Sequence, residues 1–305
     1  MFKSIAQDVK QQFAFGNRIT RLILFNTAVF VAVNIVRLVY TMAAGFEPAS
    51  GFNQFLKYLS LSADLSFDFT HPWVFLTHMF LHIGFFHFAF NMLFLFWFGR
   101  ILGDFLGDHR IYPVYLLSGI TGAIVFLIAA PFSHAAMAYG ASAAVMGIVA
   151  AAGTIAPDFN MRLMFIGNVR LKYIVLVLIA LDVFALGSMA NFGGHIAHLG
   201  GALFGFVFVA MLQRGSDISE PVNKLFGWLQ SLVSNDSRMQ KKKKKSPMFA
   251  RHVRQSKGRQ SSDSSQKQKS GYQEELDVIL EKIKEAGYES LTAEEKEFLF
   301  QASKK

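Results

Sequence analysis

The sequence predicts an all-α, polytopic membrane protein: a bundle of six transmembrane helices with a short helical cytoplasmic tail. Two observations lead to this prediction. First, 52% of the 305 residues are hydrophobic, and apolar runs repeatedly approach or reach the ~20 residues of a membrane-spanning helix. Second, charged residues make up only 17% of the chain, and they are concentrated between these runs and in the C-terminal region.

The predicted transmembrane segments differ in length. They cover residues 22–43, 75–102, 111–130, 142–156, 171–188 and 195–213. The second is longer than a bilayer requires, so its first turns are expected to belong to the preceding loop. The fourth is shorter than an isolated span, which is acceptable when other helices of the protein surround it.

Composition divides the chain into four regions. They are a polar cytoplasmic N-terminus, the six-helix membrane domain, a basic linker expected to be disordered, and a small cytoplasmic helical hairpin, at residues 1–21, 22–213, 214–271 and 272–305. In the hairpin, a capping box at Thr292 and Glu295 is predicted to begin the second helix. Two short helices have too little core for catalysis, so we expect the hairpin to dock on a partner.

The distribution of basic residues predicts the orientation of the bundle. If the N-terminus is cytoplasmic, Arg100, Arg110 and the basic tail all lie inside, and Lys57 is left in the outer loops. Both termini are therefore predicted to be cytoplasmic. The run Lys241–Lys245 is predicted either to contact anionic lipid or simply to solubilise the tail.

Four polar residues occur at similar depths of three predicted helices that run in the same direction. His87 and Asn91 lie one turn apart in the second segment, Ser142 begins the fourth, and His195 begins the sixth. Singly, each has an ordinary explanation as a packing serine, a hydrogen-bonded core histidine or polar glue between helices. Together they suggest a hydroxyl nucleophile, its base and donors for an oxyanion.

Three separated motifs resemble the rhomboid family of intramembrane serine proteases. They are the segment from Thr77 to Asn91, the Gly140-Ala141-Ser142 turn, and Gly194-His195-Ile196-Ala197 with the glycine-rich face that follows it. The resemblance covers roughly residues 20 to 213 and implies a six-helix bundle with a Ser–His dyad.

The resemblance also implies roles for individual residues. Ser142 would be the nucleophile and His195 the general base, while the Ser142 backbone N–H, His87 and Asn91 would bind the oxyanion. The implied function is intramembrane serine endopeptidase activity. It would cleave transmembrane segments of other membrane proteins near the outer face, at a small residue.

The chain departs from the family pattern at several positions. Ala143 replaces a common glycine after the serine, Trp73-Val74 replaces a Trp-Arg pair, and Gly103 stands near an expected acid. His198 occupies a position where some members have glycine. None of these departures removes Ser142 or His195.

The residues leave other interpretations open. One is a rhomboid-like protein that binds membrane helices without cutting them; a transporter is a weaker choice because no inverted repeat is visible. A metal-dependent hydrolase would use His78 and His82, one turn apart, but the Glu of a His-Glu-x-x-His motif is missing. For the membrane-embedded Asp182, pairing within the bundle is favoured over membership of a triad.

Cofactors, partners and location follow from the same features. The chain has no Cys, which excludes thiolate metal ligands, and we predict no metal and no cofactor. The expected partners are transmembrane protein substrates and the lipid bilayer, with no nucleic acid. The expected location is the cytoplasmic membrane of a bacterium, as a multi-pass integral protein.

Overall fold

A computed structural model describes residues 16–45, 50–132, 137–163, 166–187, 191–233, 278–279, 282 and 291–302. The chain forms two compact units, Met1–Gln240 and Lys241–Lys305. In chain order the described helices are α1 (Arg18–Ala43), α2 (Ser50–Lys57), α3 (Leu65–Thr70), α4 (Val74–Thr77), α5 (Phe85–Leu106), α6 (Ile111–Ala129), α7 (Ser142–Ile155), α8 (Leu171–Leu186), α9 (Phe192–Gln213), α10 (Glu220–Val233) and α11 (Ala293–Ala302).

The prediction of an all-α polytopic membrane protein is confirmed. By length and composition, four helices of the described chain can cross a membrane, over Arg18–Ala43, Phe85–Leu106, Asp108–Phe132 and Phe192–Gln213. The helices α7 and α8, with 14 and 16 residues, are shorter. That the bundle has six membrane-spanning helices therefore stays a prediction. Every residue of α7 from Ala143 to Gly153 is buried, as expected for a short helix enclosed by others.

The second predicted segment is not one continuous helix. The chain forms α4 and a 3₁₀ turn at His78–Phe80, becomes extended at Leu81 and Gly84, and only then begins α5. The break frees backbone and side-chain groups for tertiary hydrogen bonds. The Gly140 N–H donates to the His78 carbonyl at 2.8 Å, and the Ala141 N–H donates to His82 Nε2 at 3.2 Å. These bonds favour the break over helix continuation.

Two short antiparallel ribbons complete the membrane-domain fold. In the first, β1 (Leu61–Ser62) pairs with β2 (Met137–Ala138), with Leu61 opposite Ala138. In the second, β3 (Asn160–Leu163) pairs with β4 (Gly167–Arg170) between α7 and α8. The first ribbon lies where α5, α7 and α9 begin, which we call the cavity end of the bundle, and the second lies at the opposite end.

Glycines bring the backbones of α6, α7 and α9 into direct contact. A Cβ added at Gly201 or Gly205 of α9 would collide with the backbone carbonyls of Ala143 and Gly147 in α7. A Cβ at Gly122 of α6 would lie 2.8 Å from the Ala197 carbonyl oxygen. Small residues allow this close approach between membrane helices. The three helices therefore form the tightly packed centre of the bundle.

The predicted disordered linker, residues 214–271, is partly helical. It contains α10, and residues 234–271 lie outside the described part of the chain. The expectation of disorder was wrong for α10 because its apolar residues fall on one helix face and its start is tied to the bundle. Arg110 Nη2 lies 2.7 Å from Asp217 Oδ2 just before α10, and Arg18 Nη1 donates to Asn223 Oδ1 within it at 3.1 Å.

In the second unit, the predicted capping box is present at the start of α11. The Thr292 N–H donates to Glu295 Oε2 at 2.7 Å, and the Glu295 N–H donates to Thr292 Oγ1 at 3.3 Å. Most of the first predicted helix of the hairpin lies outside the described residues. The docking role of the hairpin stays a prediction.

Candidate active site

A cavity of about 600 Å³ opens between the helices at the cavity end. Residues of α5, α6, α7, α8 and α9 line it together with the first ribbon. The polar side chains among the lining residues are His78, His87, Asn91, Tyr139, Ser142, Asp182, Asn191 and His198. The cavity therefore collects hydroxyl, imidazole, amide and carboxylate groups within an otherwise apolar bundle.

Ser142 is the first residue of α7 and lies in the cavity wall. The turn before it needs a glycine, because Gly140 has φ +128° and a Cβ there would lie 2.6 Å from Cε1 of His87. The first N–H groups of a helix have no acceptor within it, and they carry the positive end of the helix dipole. The backbone next to the Ser142 hydroxyl is thus suited to hold an oxyanion.

His87 and Asn91 reach the same cavity from α5, as their shared helix face predicted. The His87 ring packs against Gly140, two residues before Ser142. Asn91 is buried, and its Nδ2 donates to the His87 carbonyl at 2.8 Å. A side-chain amide nitrogen carries two donor hydrogens, so one remains for a ligand. Their role at an oxyanion stays a prediction.

The structure separates the two histidines of α9. His198 lines the cavity that contains Ser142, whereas His195, one turn earlier, is not among the lining residues. The predicted base His195 is therefore less well placed than its neighbour. The placement favours His198, which in the sequence alone is only a departure from the family pattern.

A signal for His198 was present in the sequence. Gly201 and Gly205, which contact α7, follow His198 by three and seven residues, and residues at these spacings share a helix face. His195 lies six residues before Gly201, a spacing that rotates it away from α7. The glycine register therefore points to His198 as the histidine facing the serine.

Asp182 of α8 joins both histidines. Its Oδ1 lies 2.7 Å from His195 Nδ1 and 2.9 Å from His198 Nδ1. Pairing within the bundle is what the sequence favoured for this acid, although the partner was not predicted. Helix-to-helix contacts such as this depend on the rotation of two separate helices, which the spacing within one segment does not reveal.

The same three side chains have the composition of a metal site. The candidate ligand atoms of Asp182, His195 and His198 all lie within 4.8 Å of one another, and two imidazoles with one carboxylate are a ligand set that zinc accepts. The two histidines with metal-binding spacing in the sequence have other partners: His78 Nδ1 contacts the Val74 carbonyl oxygen, and His82 Nε2 accepts a hydrogen bond from the Ala141 N–H. Within the described residues, these two do not belong to a three-ligand group.

Two family models match separate parts of the chain. The family model of the Rhomboid domain matches residues 70–215, and a family of unknown function (DUF6576) matches residues 263–305. The first match contains the lining residues of α5 through α9. The second falls in the C-terminal unit.

Three relatives illustrate the similarity. Rhomboid protease GluP of Bacillus subtilis (strain 168) is 36% identical over 141 residues, which are 46% of this chain and 26% of GluP. The mitochondrial presenilin-associated rhomboid-like protein of Homo sapiens is 33% identical over 138 residues, 43% of this chain and 35% of the relative. Rhomboid-like protein 11, chloroplastic, of Arabidopsis thaliana is 29% identical over 148 residues, 46% of this chain and 52% of the relative. The match thus spans between about a quarter and about a half of these relatives.

Proposed function

The chain belongs to the rhomboid family, and from this premise we propose that it is an intramembrane serine endopeptidase. It would cleave transmembrane segments of other membrane proteins. The observation that carries the proposal is that Ser142, at the start of α7, and His198 line the same cavity. The Nδ1 atom of His198 contacts the Asp182 carboxylate, which leaves Nε2 as the nitrogen for the serine hydroxyl. A similarity to GluP, which is named a protease, supports the same reaction type.

The reaction begins with proton transfer. His198 Nε2 accepts the proton of the Ser142 hydroxyl while the serine oxygen attacks a peptide carbonyl. The carbonyl oxygen becomes an oxyanion, which accepts hydrogen bonds from the N–H groups at the start of α7 and from His87 and Asn91. His198 then protonates the leaving amine, and the cleaved chain departs with a new amino terminus.

Water completes the cycle. It enters the cavity, His198 removes one of its protons, and the resulting hydroxide attacks the ester of Ser142. Collapse of the second tetrahedral intermediate returns the proton to the serine oxygen and releases a carboxylate. The polar lining contributed by His78, His87 and Asn91 supports a wet cavity within the bundle.

The substrate follows from the position of the cavity. We propose that both termini are cytoplasmic, which places the cavity in the outer half of the membrane. Basic residues at the opposite end, including Arg18, Arg110 and Lys172, support this orientation. The substrate would be a membrane helix that unwinds near the outer face. A small residue at the cleavage site is what the resemblance to the family implies. Contact of Lys241–Lys245 with anionic lipid stays a prediction, since this run lies outside the described residues.

Fluorophosphonate labelling and cleavage of a co-expressed membrane substrate test the proposal. Ser142→Ala should abolish both, and Ser118→Ala, at another buried serine that does not line the cavity, should abolish neither. Labelling or cleavage that persists in Ser142→Ala contradicts the serine mechanism. A wild-type protein that is neither labelled nor able to cleave any membrane substrate would favour the non-catalytic, helix-binding interpretation.

The choice of base has its own test. His198→Ala should reduce cleavage to the level of Ser142→Ala, whereas His195→Ala should retain a measurable fraction of wild-type turnover. The reverse result would restore His195 as the base.

A metal-dependent hydrolase is the second candidate, and the Asp182–His195–His198 group favours it. In that reaction the two imidazoles and the carboxylate would hold a zinc ion, which would supply an activated water. A strong chelator would then abolish cleavage, and added zinc would restore it. Under the serine mechanism, cleavage is insensitive to the chelator.

A further inference from the structure

We propose that Asp182 is a positioning residue that fixes the imidazole of His198, and that His195 holds the carboxylate in place. The inference rests on the proposed function, because it concerns the base of that reaction. It would give this chain a Ser–His–Asp arrangement, where the resemblance by itself implies a dyad.

The geometry places a single carboxylate oxygen between two rings. Asp182 Oδ1 is 2.9 Å from Nδ1 of His198 and 2.7 Å from Nδ1 of His195. The two rings stand nearly perpendicular, at 81°, with their centroids 5.7 Å apart. Asp182 is only 7% exposed and lines the cavity beside His198. An ionised carboxylate in this position acts as an acceptor for both rings.

These contacts set the tautomer of the base. An ionised carboxylate cannot donate, so each Nδ1 that bonds to it must carry the hydrogen. Neutral His198 then has its lone pair on Nε2, which is the form that can take a proton from a serine hydroxyl. When His198 becomes an imidazolium during the attack, the adjacent negative charge stabilises it. Asp182 thereby acts on the reaction through His198 and does not touch the reacting atoms.

The contact with His195 holds the Asp182 carboxylate in position although α8 is loosely packed. In α8 the buried residues are Leu171, Val175 and Asp182, so apolar packing alone holds its cavity end weakly. His195 and His198 lie one turn apart on α9 and contact the carboxylate oxygen from two directions. The pair therefore restrains both the position of the carboxylate and the approach of α8 to α9. This gives His195 a role even though it is outside the cavity lining.

The test compares variants of the full chain in detergent micelles with a fluorogenic transmembrane peptide as substrate. Asp182→Asn keeps the shape of the side chain but presents an N–H or a neutral acceptor to His198. We expect kcat to fall by about 10²–10⁴-fold, as loss of the orienting acid does in serine hydrolases, with KM changed less than about 3-fold. The fluorophosphonate labelling rate should fall in parallel with kcat.

Two further variants separate positioning from folding. Asp182→Glu should recover part of kcat, since it restores a carboxylate, and His195→Ala should lower kcat by about 10-fold while labelling persists. Asp158→Asn is the control, because this aspartate forms an exposed ion pair with Lys172 away from the cavity, and its kcat should match the wild type. An Asp182→Asn protein with kcat within twofold of the wild type overturns the inference.

One measurement does not depend on Asp182 variants folding. Nitrogen-15 spectra of histidine-labelled wild-type protein report the tautomer of each ring, with His198 assigned from the signal missing in His198→Gln. The inference requires hydrogen on Nδ1, and a neutral His198 with hydrogen on Nε2 overturns it. If Ser142→Ala abolishes cleavage but the kcat of Asp182→Asn or the tautomer of His198 is not as expected, only the inference about Asp182 is overturned. If cleavage persists in Ser142→Ala, the proposed function itself is overturned.

Discussion

Two helices bring Ser142, the proposed nucleophile, and the Asp182 carboxylate to the cavity, and they are held in place in different ways. The helix α7 is buried along Ala143–Gly153 and contacts α9 through backbone atoms. By contrast, α8 exposes large apolar side chains, among them Leu176, Leu181 and Phe184. The serine is therefore positioned by rigid backbone packing, whereas the carboxylate is positioned by hydrogen bonds to two histidines.

The difference has a physical origin in residue size. Small residues in α7 and α9 let the backbones touch, which yields many weak contacts and few ways for either helix to rotate. The large side chains of α8 are suited to lipid, which is as apolar as they are and provides no specific packing. We expect mutations in the α7–α9 contact to affect folding, and mutations in α8 to affect the orientation of His198, the proposed base.

The largest expected effect comes from a methyl group in the α7–α9 contact. Gly205→Ala places a Cβ against the Gly147 carbonyl, and we expect a loss of about 3 kcal/mol or more of unfolding free energy because backbone atoms cannot move aside easily. Thermal unfolding in micelles measures it. Gly227→Ala in α10 is the matched control, because nothing lies within 4 Å of the added Cβ. Equal stability of the two variants would contradict the tight packing.

The next largest effect is expected for Asn91, a proposed hydrogen-bond donor to the oxyanion beside α7. Asn91→Ala should lower kcat by about 10²–10³-fold if its amide binds the oxyanion. Asn34→Ala is the control, because Asn34 makes the same bond to the carbonyl four residues earlier, at 2.9 Å, but does not line the cavity. Steady-state cleavage of a membrane peptide gives the comparison. A similar loss in both variants would mean that the Asn91 amide is structural.

A smaller effect is expected where α8 meets α7. Val175→Ala removes side-chain atoms that pack against Gly153, where a Cβ would lie 2.6 Å from Cγ2 of Val175. The unfolding free energy should fall by about 1–2 kcal/mol, as for deletion of buried methyl groups. Val177→Ala, which is 56% exposed, should change it by less than about 0.5 kcal/mol. If Val177→Ala were as damaging as Val175→Ala, α8 would have a further packing partner.

The smallest effect concerns the ion pair at the opposite end. Burial acts to raise the pKa of Asp217, but hydrogen bonds from Ser219 and Arg110 outweigh it and hold that pKa below its ordinary value of 3.8. Because the folded-state pKa is lowered, the stabilisation is present above pH 3.8 and is lost as the pH falls through the folded value.

The corresponding variant is Asp217→Asn. It should lower the free energy of unfolding by about 1 kcal/mol at neutral pH, because a partly exposed ion pair contributes little more than this. The difference from the wild type should be constant between about pH 5 and 8. It should shrink when the wild type is acidified below about pH 4. Unfolding temperatures of both proteins across this range provide the measurement. A deficit that grows on acidification would contradict the sign of the pKa shift.

Much of the fold and part of the site could be predicted from local sequence. The apolar runs predicted the helices of the bundle, and the shortness of the fourth run predicted an enclosed helix. His87 and Asn91 were assigned to one face from their spacing, and both reach the cavity of Ser142. The helix α10 is not predicted from the average composition of residues 214–271, because the basic and polar residues that follow it hide the apolar face of this 14-residue segment.

The sequence by itself determined which residues are apolar, which polar residues interrupt them, and which residues share a helix face, because these are properties of one segment. Only the tertiary structure decided that the second segment breaks before α5, that His198 and not His195 lines the cavity, and that Asp182 contacts both histidines. Each of these depends on how two segments are rotated and offset against each other. Packing and hydrogen bonds between distant segments determine that rotation and offset. Such contacts leave no periodic pattern in the sequence of a single helix.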